Sequence, residues 1–205
     1  MRLLRTLFVS IALLLVGGVV LYAATDGLRA FTSEAARRIA VRQHSVEVPA
    51  VTLETQTGAH IDITSLRGKW LLIDFIYTRC PTYCVALGSE FAQLQDRLAG
   101  SVREDAVELL SISFDPAHDT PRALASYLTR AKSRGAGWVA ARPVDSGGLD
   151  ELERAFGITV IPDGLGGYTH NAAIHVVDRQ GRLVEIVDPG QAGAAMRRIL
   201  QKPGP

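Results

Sequence analysis

From Thr6 to Thr25 the chain is uncharged and almost wholly apolar (TLFVSIALLLVGGVVLYAAT). Twenty helical residues span about 30 Å, the thickness of a hydrocarbon core. A membrane-spanning helix over 1–25 is therefore predicted. Arg2 and Arg5 precede the run, which places the N-terminus in the cytoplasm and the remainder outside it. A cleaved signal peptide is the rival reading. The run is longer than a usual signal core, however, and Tyr22-Ala23-Ala24 makes a poor cleavage region. No cysteine lies near residue 25, so a lipid-modified anchor is not expected.

Beyond the anchor the pattern changes. Residues 26–45 are rich in arginine and read as a juxtamembrane linker or short amphipathic helix. Val46 to Leu53 alternates loosely, Gln56 to His60 offers a turn, and Ile61 and Ile63 suggest a return strand. An N-terminal β-hairpin is predicted there. Trp70 to Tyr77 (WLLIDFIY) and Val107 to Phe114 (VELLSISF) are near-continuous apolar runs, the signature of strands covered on both faces. Between them, Leu87, Phe91, Leu94 and Leu98 recur at helical spacing, predicting a helix over 83–98. A second helix starts at Pro121, capped by Asp119 or Thr120, and stops at Gly135 and Gly137. A strand at Trp138 to Ala141 and a helix around Leu149 to Phe156 follow. Strands to Val177 and from Leu183 to Val187 turn at Asp178-Arg179-Gln180-Gly181, and a final helix spans Ala194 to Leu200. The predicted fold is α/β: a thioredoxin-like mixed sheet flanked by helices over 46–205, with an N-terminal β-hairpin, and a membrane-spanning helix ahead of it.

Composition narrows the chemistry. Twenty-two basic and 21 acidic side chains give a net charge of +1, with no long block of one sign, so nucleic acid is not an expected partner. Arginine outnumbers lysine 19 to 3, a bias common in GC-rich bacteria. Two cysteines allow one bridge at most, so the chain is no disulfide-stapled scaffold. No phosphate-binding glycine loop and no Ser–His–Asp arrangement around a glycine elbow is present.

Those two cysteines, Cys80 and Cys84, stand at a strand-to-helix junction in Arg79-Cys80-Pro81-Thr82-Tyr83-Cys84. An i, i+4 spacing on a helix puts both sulfurs on one face, close enough to grip a soft metal ion or to form a disulfide. Unpaired N–H groups and the helix dipole favour thiolate, which suits both uses. Any third soft or borderline ligand must then be histidine or methionine. His170, after the glycine-rich loop 162–169, enters a strand predicted to run to Val177, beside the reactive loop of a thioredoxin-like plan. The loop's glycines suggest that it moves. In such a strand His175, five residues on, faces the opposite side. His118 shares a loop with Asp115 and Asp119, which read as capping and bracing residues; His44 and His60 read as surface.

Together these residues resemble the Sco/SenC family of copper chaperones for cytochrome c oxidase assembly. Phe75 to Cys84 is similar to the family's strand and Cys-Pro-x-x-x-Cys-type site. Asp115-Pro116-Ala117-His118-Asp119-Thr120-Pro121 is similar to its Asp-Pro-x-x-Asp-Thr-Pro segment, and Tyr168-Thr169-His170-Asn171 to the segment that delivers its histidine. Thr82 and Val85 stand where the family commonly has aspartate and proline, and Asn171 where it has a small hydroxyl residue. The resemblance implies that Cys80, Cys84 and His170 bind one copper ion, Cu(I) or Cu(II). It implies delivery to the binuclear copper centre of oxidase subunit II, or to another exported copper protein, with a periplasmic copper donor or thiol reductant upstream. The implied location is a single pass through a bacterial inner membrane, with the soluble domain in the periplasm. The other reading is a periplasmic thiol–disulfide oxidoreductase, with Cys80 and Cys84 as its catalytic pair, reducing cysteines of the oxidase copper site or of other exported proteins.

Overall fold

Seven residues from Trp70 to Ile76 form β4, and six of the seven are buried. β4 pairs in parallel with β5 (Val107–Ser113), in register from Trp70↔Val107 to Ile76↔Ser113. The computed structural model describes residues 2–80, 83–100 and 106–201, without the side chains of 83–86, 199 and 201. Around this pair an eight-stranded sheet is built in the order β1-β10-β9-β4-β5-β6-β2-β3. β1 is Val46–Glu47, β2 Thr52–Thr55, β3 His60–Asp62, β6 Trp138–Pro143, β9 Ile174–Val177 and β10 Arg182–Val187. β6 continues the parallel block, while β9, β10, β1, β2 and β3 are antiparallel to their neighbours.

Alternation along the central strands divides the core in two. Asp74, Ser111 and Trp138 share one face, where Phe91 of α3 (Tyr83–Arg97) packs tilted and Tyr127 of α4 (Pro121–Arg130) edge-on against the indole, at 5.5 and 6.2 Å. Phe75 and His175 occupy the other face, where Phe156 of α5 (Ser146–Phe156) meets them at 5.3 and 5.4 Å. Each such aromatic or aliphatic side chain contributes about 1.5–3 kcal/mol by leaving water. α6 (Ala192–Gln201) packs beside α3.

The thioredoxin-like mixed sheet with flanking helices is present, but the predicted N-terminal β-hairpin is corrected: the chain begins with helix. α1 runs from Arg2 to Ala24 and α2 from Ser33 to Gln43. Nor is Val46 to Leu53 one strand. Pro49 offers no N–H to a ladder, and the segment divides there. β1 joins β10 at one edge of the sheet, while β2 joins β6, with β3 outside it, at the opposite edge.

Residues 1–44 form one compact unit and residues 45–205 another. In the first, α1 has a mean hydropathy of 2.5 and is long and apolar enough to cross a membrane, a test that a signal sequence also passes. α2 is capped by Thr32, whose Oγ1 accepts from the Ala35 N–H at 3.1 Å. Glu34 in its first turn accepts from Arg37 and Arg38 at 3.0 and 2.9 Å.

Candidate metal centre

Cys80 lies just past β4 and is buried, 8% exposed. Its N–H donates to the Tyr77 carbonyl at 3.2 Å. The turn between them is clamped from two sides. Asp119, wholly buried, accepts from the Thr78 N–H at 3.0 Å, from Thr78 Oγ1 at 2.6 Å and from Ser113 Oγ at 2.6 Å. Arg130 of α4 donates to the Thr78 carbonyl at 3.0 Å. Thr120, rather than Asp119, caps α4, with Oγ1 accepting from the Ala123 N–H at 3.3 Å. Asp119 is thereby left to hold the cysteine turn.

A second carboxylate extends this brace. Asp115 accepts from Arg79 at 2.8 Å, and His118 Nδ1 lies 2.8 Å from its other oxygen. Burial works upward on the Asp115 carboxyl, but the hydrogen bonds and charges of His118 and Arg79 outweigh it and hold the pKa below its usual range. His118 is thus a bracing partner in the same network.

His170 arrives on a separate two-stranded ribbon, β7 (Val160–Pro162) paired with β8 (Tyr168–His170). Sequence reading missed β7 and ran the histidine's strand on to Val177. His170 instead ends β8, and the chain breaks before β9. Asn171 causes the break by bonding backbone itself. Its Oδ1 accepts from the Thr159 N–H at 2.7 Å and its Nδ2 donates to the Gly157 carbonyl at 2.9 Å, tying the ribbon to the end of α5. Asn171→Ala should therefore cost about 1 kcal/mol and speed hydrogen exchange at Thr159, measured against the amides of β4. At the ribbon's tip, Asp163 Oδ1 accepts from the N–H groups of Leu165 and Gly167 at 2.7 and 2.9 Å, and these bonds depress its pKa. Gly164 and Gly166 have φ of 74° and 88°, so this turn needs glycine for its geometry.

The His170 ring packs against Phe114 and Tyr77, with centroids 4.9 and 6.5 Å away. Tyr77 is also the residue whose carbonyl receives the Cys80 N–H, so one residue touches both neighbourhoods. Both His170 nitrogens are shielded from solvent, and neither has a hydrogen-bond partner among the described residues. Desolvation by this packing lowers its pKa, so the ring is neutral at neutral pH with a lone pair available. Two buried, partnerless nitrogens are costly; a soft or borderline metal ion is a ligand that would relieve one of them.

Cys84 falls in the first turn of α3, and its side chain lies outside the described residues. Among the described residues no three His, Cys, Asp or Glu side chains are grouped to hold a metal. His175 stands apart in the core, with Nδ1 3.3 Å from the Ile73 carbonyl and its ring edge-on to Phe75 and Phe156. The clamp on Thr78 and the aromatic packing of His170 were not foreseen. An aspartate four residues after Asp115, directly before a helix start, was the available signal for the first; the aromatic positions 77, 114 and 168 were the signal for the second.

Comparison with known proteins gives the chain its relatives. The SCO1/SenC family model matches residues 40–203. The chain is 26% identical over 141 residues to the SCO1 protein homolog of Bacillus subtilis, covering 68% of this chain and 72% of that one. It is similar in structure to Bradyrhizobium japonicum ScoI with copper bound, at 27% identity and a TM-score of 0.61 over 75% of this chain and 98% of the other. Yeast Sco1 with copper bound shares the fold at 19% identity, with a TM-score of 0.64 over 78% and 91% of the two chains. The match extends from α2 through the cysteine turn and the His170 ribbon to α6, and the chain belongs to the SCO1/SenC family.

Proposed function

We propose that this protein is a membrane-anchored copper chaperone: Cys80, Cys84 and His170 hold one copper ion and pass it to the binuclear copper centre of cytochrome c oxidase subunit II. Residues 1–25 are the anchor, 26–45 the linker and 46–205 the thioredoxin-like domain, facing the periplasm. The observation that carries this reading is the buried, neutral His170 ring with two partnerless nitrogens, packed on the residue that hydrogen-bonds Cys80. Two thiolates and one imidazole suit Cu(I) and remain adaptable to Cu(II). The copper-bound states of the Bradyrhizobium and yeast relatives support it. Anchoring raises the local concentration of the chaperone at a membrane-bound acceptor.

Anaerobic Cu(I) titration of the reduced full-length chain against a chromophoric chelator is the test. One ion per chain is expected. His170→Ala should weaken binding by about 100-fold, at the upper end of effects for metal-site partners, and Cys80→Ser or Cys84→Ser should remove competitive binding. Wild-type affinity in His170→Ala would rule out the assignment.

Thiol–disulfide exchange is a second reading. The observation favouring it is the position of Cys84 in the first turn of α3, where the helix end stabilises thiolate. It predicts that His170→Ala retains the wild-type rate of exchange with a disulfide substrate.

A further inference from the structure

Cys80 lines a groove of about 570 Å³ between α3 and α4. Ala92, Tyr127 and Ala131 give it an apolar floor, and Arg130, Lys132 and Arg134 stand along it. A second hollow of about 440 Å³ adds Arg79 and Arg122. Thr78 and Arg130 line both, so the groove and the hollow adjoin along α4 as one charged strip. Five cations therefore line it against one carboxylate, Asp96, in a chain whose net charge is only +1. Arg134 is paired with Asp96 at 2.9 Å, Arg79 with Asp115 at 2.8 Å, and Arg130 with the Thr78 carbonyl. Arg122 and Lys132 have no ion-pair partner among the described residues.

Lys132 has a further peculiarity. It sits two residues beyond α4 at φ 62°, the left-handed conformation that helix ends ordinarily give to glycine. A cation is kept there at a conformational disadvantage, on the rim of the groove that contains Cys80.

We propose that the α3–α4 groove docks an acidic, extended segment of a partner protein, aligning that partner's exchanging group with Cys80. Charge complementarity selects an acidic partner. The run of charge along α4 selects a chain over a compact molecule: Arg122 to Arg130 spans about 12 Å of helix, the length of three or four extended residues. The inference rests on the proposed function only in taking Cys80 as the group that exchanges.

The test is fluorescence anisotropy with the reduced, metal-free, full-length protein in phosphatidylcholine nanodiscs. The probe is a fluorescein-labelled heptapeptide of alternating glutamate and serine, compared with its lysine-for-glutamate counterpart. Only the acidic peptide should bind, with an affinity that falls steeply as salt rises. Arg122→Ala combined with Lys132→Gly should weaken it at least tenfold, while Arg154→Ala on α5 leaves it unchanged. Lys132→Gly relieves the left-handed backbone, so its thermal unfolding should be no lower than wild type and the loss cannot come from misfolding. Equal binding of the two peptides, or wild-type binding by the double variant, would overturn the proposal. So would displacement by equimolar inorganic phosphate or glutathione, which would make the groove a small-anion site. The double variant should keep wild-type Cu(I) affinity; if copper binding fails in every form while the peptide still docks, the copper reading falls and the docking surface stands.

Discussion

Replacing Asp74 with asparagine is expected to remove about 4 kcal/mol of pH-dependent destabilisation that the wild-type protein suffers between about pH 4 and pH 8. Asp74 is wholly buried in β4, on the face covered by α3 and α4. Burial pushes its pKa from an ordinary 3.8 up to about 7, and the neighbouring Ser111 hydroxyl offsets only part of this. Neither carboxyl oxygen has a hydrogen bond of ordinary geometry among the described residues, and Ser111 Oγ accepts from the Trp138 indole at 3.0 Å. Between these two pKa values the folded chain keeps a proton that the unfolded chain has released. The stability this contributes is complete below about pH 4 and is lost as pH rises through about 7. Asp115 and Asp163, whose pKa values are lowered, slope the other way, so the informative quantity is the difference between wild type and variant. Urea unfolding followed by the fluorescence of Trp70 and Trp138 at pH 4.5, 6 and 8 measures it. Asp74→Asn should lie near wild type or below it at pH 4.5 and gain on it steadily toward pH 8. Parallel curves would show that the carboxyl does not change its protonation on unfolding.

Asp74 also shows what pattern reading finds and what it misses. It is the single charge in the run Trp70 to Tyr77, and the apolar residues around it specify a strand covered on both faces, which is what β4 is. Strands and helices whose signal lies in their own residues were readable in this way, including β4, β5, α3 and the β9–β10 hairpin. Where pairing depends on distant residues the pattern was ambiguous. Val46 to Leu53 has one alternation but two partners at opposite edges of the sheet, because Pro49 interrupts it. His170 to Val177 reads as a continuous strand until the side chain of Asn171 is known to bond Thr159 and Gly157, twelve and fourteen residues earlier. The candidate ligands could be named because cysteine and histidine are scarce here. Their support could not, since the clamp joins Thr78 to Asp119 across 41 residues.

That clamp underlies the second large effect. Asp119→Ala should destabilise the protein by about 3 kcal/mol and lower copper affinity by about 10–100-fold, though the side chain is not a proposed ligand. Its carboxylate takes three hydrogen bonds at a fully buried position. Truncation strands the Thr78 N–H and two hydroxyls, and a buried donor without a partner costs more than an average bond contributes. Arg130 would still hold the Thr78 carbonyl, so the turn should loosen rather than detach. Asp119→Asn keeps one acceptor oxygen but presents an NH₂ group as well. The hydroxyls of Thr78 and Ser113 can rotate to accept from it, whereas the Thr78 N–H cannot, so this variant should show about half the loss. Hydrogen exchange at the Thr78 amide and the rate of Cys80 alkylation report the turn directly, in a Cys84→Ser background that leaves one thiol. Both should rise in the order wild type, Asp119→Asn, Asp119→Ala. If alkylation and copper affinity stay at wild-type values while stability falls, Asp119 braces the fold alone and the cysteine turn is held by other contacts.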